Sequence, residues 1–147
     1  MGKGFEEFLR WEDADRDVIK VKRLYIDITE DLVAGILLSQ IVYWHLPSQR
    51  SGQPKLKVQK DGKLWLAKGR GDWWNECRIT PKQFDRAINI LAEKGIVEKK
   101  AFKFDGSPTI HVRLISEALM HYIEQQMGEQ VEMEVDERGK TELAGDT

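Results

Sequence analysis

Cysteine is nearly absent from this chain of 147 residues, and the shortage closes off two classes of protein at once. With Cys77 as the one thiol, no intramolecular disulfide can form and no metal-binding cysteine pair exists. A reducing, cytoplasmic setting is expected. The three histidines, His45, His111 and His121, are scattered without the spacing zinc requires, so no metal and no cofactor is expected. Long apolar runs are missing too. The most apolar stretch, residues 32–46, is interrupted by Ser39 and Gln40 and is about half a dozen residues too short for a membrane span. The opening residues, Met1 to Glu7, lack the apolar core of a signal peptide, and Glu6 stands where a myristoylation motif wants Ser or Thr. No membrane contact is expected. Paired carboxylates and a Ser-His-Asp arrangement are also missing, and Gly69-Arg70-Gly71 is too short for a nucleotide loop. The expectation is a protein that is not an enzyme.

What the chain does have is segregated charge. Residues 48–115 hold 15 Lys or Arg against 7 Asp or Glu, a net +8. Residues 116–147 hold 2 against 9, a net −7, and the first 47 residues supply the remaining −3 of the total −2. A cationic segment attracts a phosphate backbone whatever the base sequence, whereas an acidic tail is repelled by it or competes with it. A solvated surface of mixed sign is the plain alternative.

Local patterns assign the elements. Residues 1–28 read as a short helix and then a strand-like lead-in carrying Val18, Ile19, Val21, Leu24, Tyr25 and Ile26. Thr29 is a cap for a helix with Glu30 and Asp31 in its first turn, stopped by Pro47. This helix, residues 29–46, is apolar nearly all round from Leu32 to Leu46. It belongs at the centre of the core or in a homodimer contact with a second subunit. Residues 47–62 read as a surface loop and residues 63–68 as a short strand. A short helix follows at 72–77. Its Trp73 and Trp74 are adjacent and point apart, one under the next helix and one partly exposed; Cys77 reads as a buried core thiol.

Thr80, Pro81 and Gln83 spell a capping box with proline at the first helical position, and Gly95 suits the left-handed end. Between them Phe84, Ala87, Ile88 and Leu91 make one buried stripe; Lys82, Arg86, Asn89 and Glu93 lie opposite. Residues 96–104 and 109–115 read as a hairpin around Asp105-Gly106-Ser107-Pro108, with Ile110, Val112 and Leu114 inward and Thr109, His111 and Arg113 outward. Ser116 then caps a helix over 117–127. The organisation expected is an N-terminal extension (1–17), one domain with a flanking helix (18–127) and an acidic tail (128–147) too poor in large apolar residues to order. The fold class is mostly helical with a small β-sheet, α+β.

Helix, helix, strand-capable segment, helix, helix and hairpin in this order make a winged helix-turn-helix, and the wording is narrower still. Ile36-Leu37-Leu38-Ser39-Gln40-Ile41-Val42-Tyr43-Trp44, the strand at Leu64-Trp65-Leu66, the helix Trp73-Trp74-Asn75-Glu76-Cys77 and the segment from Thr80 to Val97 resemble phage and plasmid replication proteins of the DnaD or replisome-organiser type. The similarity covers roughly residues 18–116, and its second half also resembles generic bacterial winged-helix regulators. It implies double-stranded DNA as partner, with replisome proteins beside it, and a role in replication initiation or transcriptional control.

In a helix-turn-helix the second helix enters the major groove and its N-terminal half reaches base edges. Lys82, Gln83, Arg86 and Asn89 are therefore the expected base-reading residues, since Arg matches guanine and Gln or Asn matches adenine in bidentate fashion. Lys99, Lys100 and Lys103 on the hairpin, with Arg113 opposite, would hold phosphates. The plain alternatives are a solvated helix face and strand lysines that merely protect an edge.

Overall fold

Six helices and a four-stranded antiparallel sheet make up the α+β fold of residues 4–138, the part of the chain that the computed structural model describes, with side chains as far as Gly128. In chain order they are α1 (Phe5–Ala14), α2 (Arg23–Thr29), α3 (Leu32–His45), β1 (Val58–Lys60), β2 (Lys63–Ala67), a 3₁₀ turn at Arg70–Asp72, α4 (Trp73–Cys77), α5 (Pro81–Glu93), β3 (Val97–Phe104), β4 (Ser107–Leu114) and α6 (Ser116–Arg138).

Capping chemistry sets the boundaries. The box at Thr80 forms as expected: its hydroxyl accepts the Gln83 N–H at 3.2 Å and Gln83 Oε1 accepts the Thr80 N–H at 2.9 Å. Thr29, by contrast, does not open α3. Its hydroxyl donates to the Tyr25 carbonyl at 2.8 Å, so it closes α2, and Asp31 takes the cap by accepting the Ala34 N–H at 2.9 Å. The second half of the lead-in expected to be strand-like, Leu24, Tyr25 and Ile26, is helical and belongs to α2, while Val18, Ile19 and Val21 precede it outside any helix or strand. Tyr25 and Ile28, three apart, bury against α3, and that packing overrides the β-branched composition. Gly35 permits the close approach, since a Cβ there would lie 2.9 Å from the Ile26 Cα.

The core lies between α3 and α5. Leu37, Leu38 and Ile41 of α3 meet the stripe of Phe84, Ala87, Ile88 and Leu91, all essentially inaccessible. Trp73 stacks on Phe84 with ring centroids 5.6 Å apart, while its neighbour Trp74 is 47% exposed, so the two indoles part as expected.

The sheet has the order β1-β2-β4-β3. β3 and β4 join through Asp105-Gly106, both at positive φ (51° and 83°), the geometry that matches hairpin twist. The turn is two residues long, because Ser107 and Pro108 already pair with Phe104 and Lys103. The expected loop of residues 47–62 contains β1, turned onto β2 by Asp61-Gly62 at φ 54° and 72°. α6 begins one residue earlier than expected, with the Ile115 carbonyl accepting from Ala118 and Leu119, and continues past Met127 to Arg138. Residues 139–147 of the acidic tail, like Met1-Gly2-Lys3, lie outside the described residues.

His45 ties α3 to the sheet. Its Nδ1 donates to the Ile41 carbonyl at 2.8 Å and its Nε2 accepts the Leu114 N–H at 3.1 Å, a combination that only the neutral ring offers. Burial accordingly holds its pKa below the ordinary value. Since the unfolded chain takes up this proton first, the contribution is complete above the unfolded pKa of about 6.5 and is lost as the pH falls below it. Urea unfolding at about pH 7.5 and about pH 5.5 is expected to show the wild type weakening at the lower pH, and His45→Gln losing most of that dependence.

Candidate functional site

The outward stripe of α5 presents Lys82, Asp85, Arg86, Asn89 and Glu93. Lys99 reaches across from β3 to hydrogen-bond Asn89 Oδ1, so the helix and the hairpin share one surface. Strand alternation then divides the hairpin cations. The register pairs Lys99 with Val112, and Val112 is buried against the helices, so Lys99 and Lys103 lie on the helix side of β3. Glu98 pairs with Arg113 and Lys100 with His111, which places Lys100 and Arg113 on the outer side. There Lys100 stands 3.8 Å from Asp61 and 3.7 Å from Glu98, and Arg113 donates to Glu98 Oε1 at 2.8 Å with its guanidinium over the Trp65 ring. Arg113 holds the Glu98 carboxyl below its usual pKa.

Both arginines on the α5 surface are clamped. Arg86 donates to both Asp31 oxygens, at 2.7 and 3.2 Å, and Arg70, from the turn before α4, donates to both Asp85 oxygens at 2.8 and 2.7 Å. These bonds lower the pKa of Asp31 and of Asp85 and raise those of the two guanidinium groups. Each clamp fixes α5 to a neighbour, one to the start of α3 and the other to the turn after β2. Both arginine side chains remain about half exposed, at 52% for Arg86 and 50% for Arg70.

Of the eight residues expected to touch DNA, Lys82, Arg86, Asn89, Lys99 and Lys103 share this side. Lys82 and Lys103 carry no ion pair or hydrogen bond within the described residues. Gln83 is also on α5, but its carbonyl oxygen is engaged by the Thr80 N–H, and a base contact through it would open the cap. Lys100 and Arg113 do not join the group. Arg70 was not legible as a member, because its place depends on Asp85 fifteen residues later.

His111 corrects the expectation of an outward imidazole. It is wholly buried, because the outer side of the sheet carries its own aromatic cover. Phe102 and Phe104 meet the ring edge-on at 5.1 and 6.0 Å, and Trp65 packs on Phe102. Nδ1 donates to the Thr109 carbonyl at 2.8 Å, leaving Nε2 without a partner.

Protein-family models, curated proteins and solved structures were all searched, and none matches this chain.

A second polar group braces the scaffold behind the site. Glu76 of α4 accepts from Trp44 Nε1 at 2.9 Å through one oxygen and bonds Lys68 through the other, and the Lys68 ammonium lies 5.5 Å from the Trp44 ring centroid and 5.2 Å from that of Trp73. Cys77 beside it is buried, and desolvation, with the Glu76 charge adding to it, pushes its thiol pKa up to about 11. It is a core thiol, not a reactive one. Among the described residues, no group of three or more His, Cys, Asp or Glu gathers as metal ligands would, and no helix is long and apolar enough to cross a membrane.

Proposed function

We propose that this chain is a cytoplasmic DNA-binding protein of winged helix-turn-helix type that acts by binding rather than catalysis. In this reading α3, α4 and α5 form the helical unit, α5 enters the major groove and the β3–β4 hairpin is the wing. The observation that carries it is the Lys99 to Asn89 contact, which sets a wing cation beside the exposed stripe of the capped helix. Arg86 and the amide N–H₂ of Asn89, whose oxygen Lys99 holds, then face base edges, while Lys82, Lys99, Lys103 and the exposed half of Arg70 hold phosphates. A phage- or plasmid-type role in replication initiation fits this reading, with transcriptional control as the alternative.

Binding of this kind must weaken as salt rises, by about 0.9 in log–log slope for each phosphate neutralised. Duplex DNA titrated over a range of salt is therefore expected to give a slope of about −3 or steeper. Lys82→Ala, Lys99→Ala and Lys103→Ala combined should lower affinity about thirtyfold at low salt and remove most of that slope. An unchanged slope would remove the surface from contention.

A second reading, a winged helix that binds replisome proteins, draws on the exposed Trp74 and on the aromatic side chains of α1. It predicts no salt-dependent DNA affinity.

A further inference from the structure

α1 is helical without a core of its own. Its Phe5, Phe8, Leu9 and Trp11 are between 46% and 71% exposed and none of its residues is buried, although ten residues, about 15 Å of helix, are marginal in water without packing. The helix is acidic, with Glu6, Glu7, Glu12 and Asp13 against Arg10, a net −3.

The same chain carries a groove of opposite character. The segment that follows α1 is pinned across α3 by the Lys22 N–H donating to Ser39 Oγ at 3.2 Å. Between segment and helix lies a cavity of about 480 Å³ with apolar walls that include Val18, Val42 and Leu46. The charged residues lining it are Arg16, Lys20 and Lys22, a net +3. One linking residue, Asp15, separates α1 from the rim. The Asp15 N–H bonds the Trp11 carbonyl while the Arg16 guanidinium bonds the carbonyls of Asp13 and Asp15, and no residue of α1 lines the groove.

We infer that the groove takes α1 of a second copy of this chain. The aromatic stripe enters between the segment and α3, and the acidic flanks face Arg16, Lys20 and Lys22. Reciprocal exchange closes a two-fold dimer with both grooves filled. An anionic lipid surface, the other common destination of an amphipathic helix, repels an acidic one. The contact uses the C-terminal half of α3, which narrows the expected homodimer helix of residues 29–46 to Ser39, Val42, Tyr43 and Leu46.

Light scattering of the full chain at about 100 µM tests this. The wild type should have about twice the 17.0 kDa chain mass. Phe8→Ser, at an exposed position, should fall to one chain mass with an unchanged circular dichroism spectrum outside the α1 contribution. Glu6→Lys with Glu12→Lys, and separately Lys20→Glu with Lys22→Glu, should each be monomeric alone. Mixed in equal amounts, the two should regain the two-chain mass, because each then meets its opposite. A monomeric wild type, a dimer that survives both charge reversals, or a mixture that stays monomeric would each overturn the exchange.

Discussion

Trp73→Ala is expected to cost about 3 to 5 kcal/mol of folding stability, read as a lower urea midpoint at an unchanged slope. Trp73 is inaccessible to solvent, its ring lies nearly parallel to Phe84 (17° between planes), and it couples the short α4 to α5. Alanine leaves a cavity that rigid neighbours on α3 and α5 cannot fill. Trp73→Phe is expected to cost much less, about 1 to 2 kcal/mol, because stacking survives and the unpartnered indole N–H is removed with the larger ring. Should the two substitutions prove equally costly, the stacking geometry is not what holds α4 in place.

Glu76→Ala is the second large effect, about 2 to 4 kcal/mol. One carboxylate serves two partners, the Trp44 indole N–H and the Lys68 ammonium, and both ends of the ion pair are mostly shielded, with side-chain exposures of 16% for Glu76 and 19% for Lys68. Removing it strands a cation and a donor together, whereas a surface pair would contribute about 1 kcal/mol at most. Lys68→Met, which keeps the stem and deletes the stranded charge, is expected to recover part of the loss in the Glu76→Ala background. A double-mutant cycle by urea unfolding measures the coupling.

Locally encoded features of this fold were legible. The Thr80 box, the Phe84–Leu91 stripe and the Asp105-Gly106 turn each depend on residues within about one to three turns of one another. Features that need distant partners were not. Thr29 and Asp31 are both good caps two residues apart, and what chooses between them is α2 packing over Gly35, together with the Arg86 bond to Asp31 across 55 residues. The sides of Lys99 and Lys100 follow from the β3–β4 register, and the burial of His111 needs aromatic cover assembled from β2 and β3. β1 was legible in principle, since Asp61-Gly62 is the same turn dipeptide as Asp105-Gly106; the polar composition around it masked the strand.

The proposed interface stands on which side of the sheet meets DNA, and one comparison of equal charge changes decides it. Lys99→Ala with Lys103→Ala removes two cations from the helix side, and Lys63→Ala with Lys100→Ala removes two from the outer side, where Lys63 stands 3.9 Å from Glu98. Duplex affinity measured at low and at physiological salt should fall about tenfold for the first pair, with about 2 units less salt slope, and should stay within about twofold for the second. Equal losses from both pairs, or a greater loss from the outer pair, would contradict the placement of the interface on α5 and the inner side of the hairpin.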